Sequence, residues 1–574
     1  TATKAQAVTI NLGKAINETG TFNLSNAAQV TLNVDTALNS SNTETTKFQG
    51  VLNAPKATDI SIDAKGIVKL TAGSSLAKAQ NITLKAENKT SSIDLATNAI
   101  DLSAAAVVNI SGNGSVSLSK VGTNGTTPVD YNVDLTATGL NGGLNISAIA
   151  SKQNVSIDVS GVKGVIGGTT SPNITGANVT VKANGLIGNI SLGTVDSQAA
   201  GVGTADLNFA GDLGTVTVGN VGGTSSFDTI NINASEVGNT ISIGTLTADN
   251  AVTVNANGAL NNVTIGAISQ GGTAVGKQGV NSVTIDLSGT LGTNTIGTIK
   301  AISSLTYKAG LNATNGAAGI NISVDNDGTH NFTADLTGGD GNDKLTFTLL
   351  NDKSDVITLK GNLGGGTDSI TVDAATNVTT ATNNVTIDLT NLSNYDSSTL
   401  KGSAGNDTIK LGNDVDTFIF NANNANGNDT INDFQIQDKL DMNTNLLTGI
   451  TVLDANAGGG DSWDGFSSNP AAATDISSKA VIIYSSAITS GSQLVTALNA
   501  GGSFANLDLA STAGAGNDAA VVFVADSAAA TSAEIYYVAE SSTTAGDAGS
   551  ATLIGTINLA SGATIDDLVS TNIA

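Results

Sequence analysis

The chain has 574 residues, with 48 acidic against 23 basic side chains and a net charge of −25 at pH 7. That balance argues against nucleic acid, which needs a basic surface, and against electrostatic binding to an anionic membrane; it suits divalent cations, or plain solubility. Cysteine is absent, so no disulfide staples the fold, and the aromatic share of 3% and charged share of 12% are low for a compact enzyme, although the 40% apolar share can still build a core.

Residues 1–330 read as one long β region. Short alternating triads recur, such as Val8-Thr9-Ile10, Val30-Thr31-Leu32, Ile60-Ser61-Ile62 and Ile82-Thr83-Leu84. Alternation at period two sends one face inward and the other outward. Val133, Leu144 and Val155 are spaced by eleven residues, as are Ile230, Ile241, Val252 and Val263. Gly, Asn, Ser and Ala lie between them and make tight turns. Stacked short strands follow: an all-β parallel β-helix or β-solenoid, right-handed. A β-sandwich or a string of Ig-like domains is the alternative, since those also show strands every ~8–12 residues. Residues 35–58 and 120–131 read as loops or protruding insertions. No run of about eighteen apolar residues is present, so no transmembrane helix is expected. No N-terminal signal peptide is found and the chain opens on Thr1, which suggests a fragment or processed product of a longer protein.

Residues 331–445 change character. Gly338-Gly339-Asp340-Gly341-Asn342-Asp343-Lys344-Leu345-Thr346 matches the nonapeptide G-G-x-G-x-D-x-U-x, a calcium-binding parallel β-roll unit. Its glycines let carbonyls crowd round an ion, and its Asp supplies a hard anionic oxygen. The D-x-U core returns at Asp355, at Asp368 after Gly364 and Gly366, and at Asp407 after Gly402 and Gly405. It returns again at Asp416 with Phe418, and at Asp429 after Gly427. The candidate ligands are therefore Asp343, Asp355, Asp368, Asp407, Asp416 and Asp429, with glycine carbonyls and contributions from Asp340 and Asp433. Ca²⁺ takes ~6–8 oxygens, so successive turns must share each ion. The plainer alternative is that these Gly-Asn-Asp clusters are only β-turns. Residues 372–400 interrupt the array and read as strand around Val385-Thr386-Ile387-Asp388-Leu389.

Residues 446–574 form a third unit. Strands are expected at 480–484, 520–524, 534–538 and 552–559, with the middle two paired. A helix is expected over 491–499, with Ser492 as its N-cap and Gly501 near its stop. The single histidine, His330, cannot supply the clustered ligands of a metalloprotease. No G-x-S-x-G frames a serine nucleophile. Gly514-Ala515-Gly516-Asn517-Asp518 is taken as a turn.

Asp416-Thr417-Phe418-Ile419-Phe420, Gly427-Asn428-Asp429-Thr430-Ile431-Asn432-Asp433-Phe434 and Asp438-Lys439-Leu440-Asp441-Met442 resemble the closing rungs of the RTX (repeats-in-toxin) β-roll. The resemblance covers about the last two fifths of the chain. It implies calcium-dependent folding on several Ca²⁺ ions and export by type I secretion machinery, with the C-terminal unit as the secretion signal. The whole is similar to the RTX-bearing S-layer proteins of Gram-negative bacteria such as Caulobacter and Campylobacter. That resemblance implies a non-enzymatic structural protein at the extracellular cell surface. Its partners would be copies of itself in a lattice, and surface polysaccharide through a region outside this chain, with no membrane insertion. An RTX adhesin or biofilm-matrix protein is the main alternative, and an RTX β-helix polysaccharide-active enzyme the second.

Overall fold

In the computed structural model the described residues are 6–13, 17–35, 47–96, 100–123, 127–167, 171–271, 279–310, 319–324, 331–349, 356–373, 384–421, 426–442, 446–447, 449–456, 463–509 and 518–574. The chain is a β-solenoid of about 16 turns, 52% strand and 3% helix. Two compact units divide it: Thr1–Lys300 with Lys308–Gly316, and Ala301–Tyr307 with Ala317–Ala574.

In the first unit, strands repeat coil after coil in parallel rows. One row runs through Ala7–Leu12, Gln29–Val34, Asp59–Ala64, Asn81–Ala86 and Val107–Gly112, and continues to Val280–Asp286. A second row runs from Lys47–Asn53 through Ile67–Leu70, Ser92–Asp94, Ser115–Val121 and Leu144–Ala150 to Val195–Ser197. A third row, Ile190–Leu192, Val216–Val218, Ile241–Ile243, Val263–Ile265 and Asn294–Ile296, gives the later coils another face. The spacing of eleven is half a coil. Val133 pairs with Val155 and Ile230 with Val252, while Leu144 and Ile241 lie in other rows.

Alternation sets what is buried. Leu135, Ile157, Val181, Leu207, Ile232, Val254 and Ile285 stack in register, one per coil, and all are buried. Each such side chain contributes about 1.5–3 kcal/mol. Thin columns of small aliphatics therefore replace the aromatic core of a globular enzyme. Lys47–Asn53, expected as loop, is a strand with Phe48, Gly50 and Leu52 facing inward. The glycine in an inward slot hides the alternation.

The second unit has two parallel rows. Ile320–Val324, Lys344–Leu349, Ser369–Asp373, Ser397–Lys401, Val415–Ile419 and Lys439–Asp441 form one. Phe332–Thr337, Val356–Asn362, Thr386–Ser393, Thr408–Lys410 and Asp429–Phe434 form the other. The coils stay stacked through 386–401, within the expected interruption. Ala548–Leu559 then pairs in parallel with Asp429–Phe434. It also pairs antiparallel with Ser532–Glu540, which in turn pairs with Ala519–Ala525. The pairing of the two middle strands is as expected. The one α-helix among the described residues, Gly491–Leu498, is capped by Ser490 rather than Ser492. The Ser490 hydroxyl accepts from the Gln493 amide at 3.4 Å. Trp463 is buried edge-on against Phe523, with ring centroids 5.2 Å apart.

Candidate metal centre

The candidate residues fall on the turns that open the strands of the second unit. Register sorts them into separate lines. Lys344 pairs with Ser369, and Ser369 with Ser397, so Asp343, Asp368 and Asp396 stack on one corner. Thr386 pairs with Thr408 and Thr408 with Thr430, so Val385, Asp407 and Asp429 stack on another. Asp416 lies inside its strand, Val415–Ile419, in line with Ser398. Asp355 lies outside the described residues, as does His330.

One hydrogen bond recurs along these lines. The Asp343 amide donates to Asp368 Oδ1 at 2.8 Å, and the Asp368 amide to Asp396 Oδ2 at 2.7 Å. The Val385 amide donates to Asp407 Oδ1 at 2.7 Å, and the Asp407 amide to Asp429 Oδ1 at 3.0 Å. The Asp416 amide donates to Asp438 Oδ1 at 3.0 Å. Each carboxylate thus satisfies an amide one coil earlier. Buried amides must find a partner, and the turn leaves this one without a strand neighbour. The second carboxylate oxygen reaches back within its own turn. Gly339 donates to Asp343 Oδ2 at 3.2 Å and Gly412 to Asp416 Oδ2 at 2.9 Å, while Ser403 donates to Asp407 Oδ2.

Asn342 and Asn406, just before Asp343 and Asp407, and Asn384, just before Val385, do the reverse. Asn342 Oδ1 accepts from the Thr367 amide at 2.8 Å, and Asn384 Oδ1 from Asn406 at 3.0 Å. Asn406 Oδ1 accepts from Asn428 at 2.9 Å. An Asn-Asp pair therefore ties its turn to the coil after it through Asn and to the coil before it through Asp.

The glycines make the close stacking possible. A Cβ on Gly338 would overlap the Leu363 carbonyl, and one on Gly427 the Gly405 carbonyl. Gly364 and Gly366 sit at φ +89° and +118°, over Gly339 and Gly341. The Gly365 amide donates to the Gly339 carbonyl at 2.8 Å. Gly402 lies directly under the Asp407 carboxylate. Asp340 and Asp433 are exposed and stand apart from these lines, Asp433 with φ +61° at a bulge between Ile431 and Phe434.

Burial raises the cost of charge on the stacked acids. It pushes Asp407 up to about 6 and Asp438 up to about 7, and raises Asp368, Asp416 and Asp429. Among the described residues no Lys pairs with any of these five; the ion pairs there lie on outer faces, as Lys410 with Asp388. Asp416 also accepts from the Tyr395 hydroxyl at 2.9 Å and from Ser398.

Oxygen-rich turns of this kind fit a hard cation in their chemistry. At the end of one line, Asn428 Oδ1 and Asp429 Oδ2 are buried acceptors with no hydrogen-bond donor within 3.5 Å among the described residues. On the other corner a cavity of about 490 Å³ borders Gly364, Gly366, Asp396 and Asp414. Among the described residues no three His, Cys, Asp or Glu side chains converge as a metal cluster. A cation held here would therefore draw on backbone carbonyls as much as on carboxylates.

Asp396 and Asp438 were missed as site residues in the sequence. Asp396 lacks preceding glycines and has Ser398 in the apolar slot, so nothing marked it. Asp438-Lys439-Leu440 keeps the D-x-U core and was legible. No family model, curated protein or solved structure matches the chain.

Proposed function

We propose that this chain is a non-enzymatic, calcium-folded structural protein of the bacterial cell surface that assembles into a two-dimensional S-layer lattice. The observation that carries the reading is the Asn-Asp turn line, which buries Asp407 and Asp429 with no basic partner among the described residues and ends on Asn428 Oδ1 and Asp429 Oδ2, acceptors with no donor there. Asp343, Asp368, Asp407 and Asp429 would hold Ca²⁺, with the carbonyls of Gly339, Gly341 and Gly405 completing the shell. When bound, the ion supplies the positive charge that buried carboxylates need. The chain's own turns position the oxygens and exclude water.

Calcium dependence also gives export a logic. At low cytosolic calcium, repulsion between stacked carboxylates keeps the second unit loose, which suits a type I secretion substrate. Outside the cell, calcium fixes it. The long first unit, low in charge for its size, supplies the lattice body, and attachment to surface polysaccharide would use a region outside this chain. Electron microscopy with and without Ca²⁺ tests the reading. Ordered sheets in calcium that disperse in excess EGTA are expected. Dispersed particles in both conditions would sink the lattice and leave the RTX adhesin alternative.

A further inference from the structure

The first unit carries an apolar stripe that its own fold does not cover. Ile187, Leu213, Leu260 and Leu291 are 55%, 62%, 56% and 50% exposed. They occupy one turn position on successive coils. The amides of Leu213, Gly238, Leu260 and Leu291 donate to the carbonyls of Leu186, Asp212, Val237 and Ala259 in the coil before, at 2.7–3.1 Å. The order along the stripe is thus Ile187, Leu213, Gly238, Leu260, Leu291. The residues just beneath, Leu186, Asp212, Val237, Ala259 and Thr290, are fully buried.

The coil before Ile187 carries the exposed Lys163 at this turn position, its amide donating to the Leu140 carbonyl at 2.8 Å; from Ile187 onward the surroundings are nearly uncharged. Segments 183–193, 209–219, 234–244, 256–266 and 287–297 hold the stripe and the third strand row. Their only charged residues are the buried Asp212 and the exposed Glu236. Residues 1–316 hold 16 Lys against 18 Asp and Glu, so two copies can meet over such a window without strong repulsion. The pattern is also its own mirror: Gly238 stands at the centre, with two large aliphatics on each side. A copy turned by half a rotation about Gly238 sets Leu213 on Leu260, Ile187 on Leu291 and glycine on glycine. Self-complementarity of this kind defines an isologous two-fold contact.

We propose that this stripe is a two-fold interface with a second copy of the chain. The inference deepens the self-assembly reading and rests on it. Five coils at ~4.8 Å span only about 20 Å. The contact is therefore smaller than the ~800 Å² per partner of a standard stable interface and is weak singly. A lattice multiplies such contacts.

The chain has no cysteine, so an introduced thiol reports cleanly. Gly238→Cys places sulfur on the proposed axis. Under mild oxidation with calcium, Gly238→Cys should form a covalent dimer, whereas Thr83→Cys, on an outer strand face of the same unit, should not. Adding Leu213→Glu and Leu260→Glu to Gly238→Cys should slow cross-linking about tenfold or more, with circular dichroism unchanged because both leucines are exposed. Cross-linking of Gly238→Cys no faster than Thr83→Cys, or untouched by the glutamates, overturns the interface. Cross-linking that persists while wild-type protein forms no sheets in calcium supports the interface and removes only the lattice reading.

Discussion

Both units face the same problem, and their turns solve it with different side chains. A short coil must satisfy the amides where one strand ends and the next begins. In the first unit neutral asparagine does this at the corners below, while Asp196 accepts from the Thr224 amide and Asp212 from the Leu186 amide. Asn189 accepts from the Thr215 amide at 2.9 Å, Asn220 from Thr245 at 3.0 Å and Asn262 from Thr293 at 3.0 Å. In the second unit Asn keeps that task at 342, 384 and 406, and Asp takes on the amide one coil earlier. The second unit therefore gains a second line of hydrogen bonds, at the cost of stacking buried negative charge. On the proposed reading, the first unit is held by its own hydrogen bonds, and the second is conditional on a cation that neutralises its carboxylates.

The largest test of that difference is removal of a carboxylate. Asp407→Ala strands the amides of Val385 and Ser403, and each unsatisfied buried donor costs about 1–3 kcal/mol. A loss of roughly 3 kcal/mol in calcium is expected by chemical denaturation, with a weaker response to EGTA than in wild type. The corresponding first-unit change, Asn262→Ala, frees the exposed Thr293 amide. It should cost about 0.5–1 kcal/mol and leave the calcium response unaltered.

Asp212 gives a middle-sized test inside the first unit. It is buried, accepts from the Leu186 amide at 2.7 Å and has a second oxygen with no donor within 3.5 Å among the described residues. Burial pushes it up to about 7 from 3.8. A group whose folded value is raised stabilises fully below the unfolded value and loses that contribution as pH rises through the folded one. The first unit should therefore weaken as pH rises between about pH 4 and pH 7. In Asp212→Asn that slope should flatten. A slope unchanged in the variant would place the titration elsewhere.

The sequence made the coils legible because inward columns such as Leu135, Ile157 and Val181 alternate cleanly with polar neighbours. It did not show that two steps of eleven make one coil, because alternate steps lie on different faces and look alike in sequence. Lys47–Asn53 was lost to an inward glycine. At the site, Asp343, Asp368, Asp407 and Asp429 were readable from glycine and D-x-U spacing. Their sorting into separate corners was not, since that depends on which strand row each turn feeds. Asp416 matched the motif yet lies within its strand, where Tyr395 and Ser398 hold it, because the nine-residue step from Asp407 crosses from one row to the other. Nothing local in Asn394-Tyr395-Asp396 announced a carboxylate that caps the Asp368 amide.

Hydrogen exchange on the full chain, with calcium and then with excess EGTA, measures the central difference directly. The amides of Asp343, Asp368, Asp407 and Asp416 donate to carboxylates of the following coil. Those of Thr215, Thr245 and Thr293 donate to asparagine. The first set should lose protection by about a hundredfold or more when calcium is removed, and the second should not move. Equal protection of both sets in calcium and in EGTA would contradict the account.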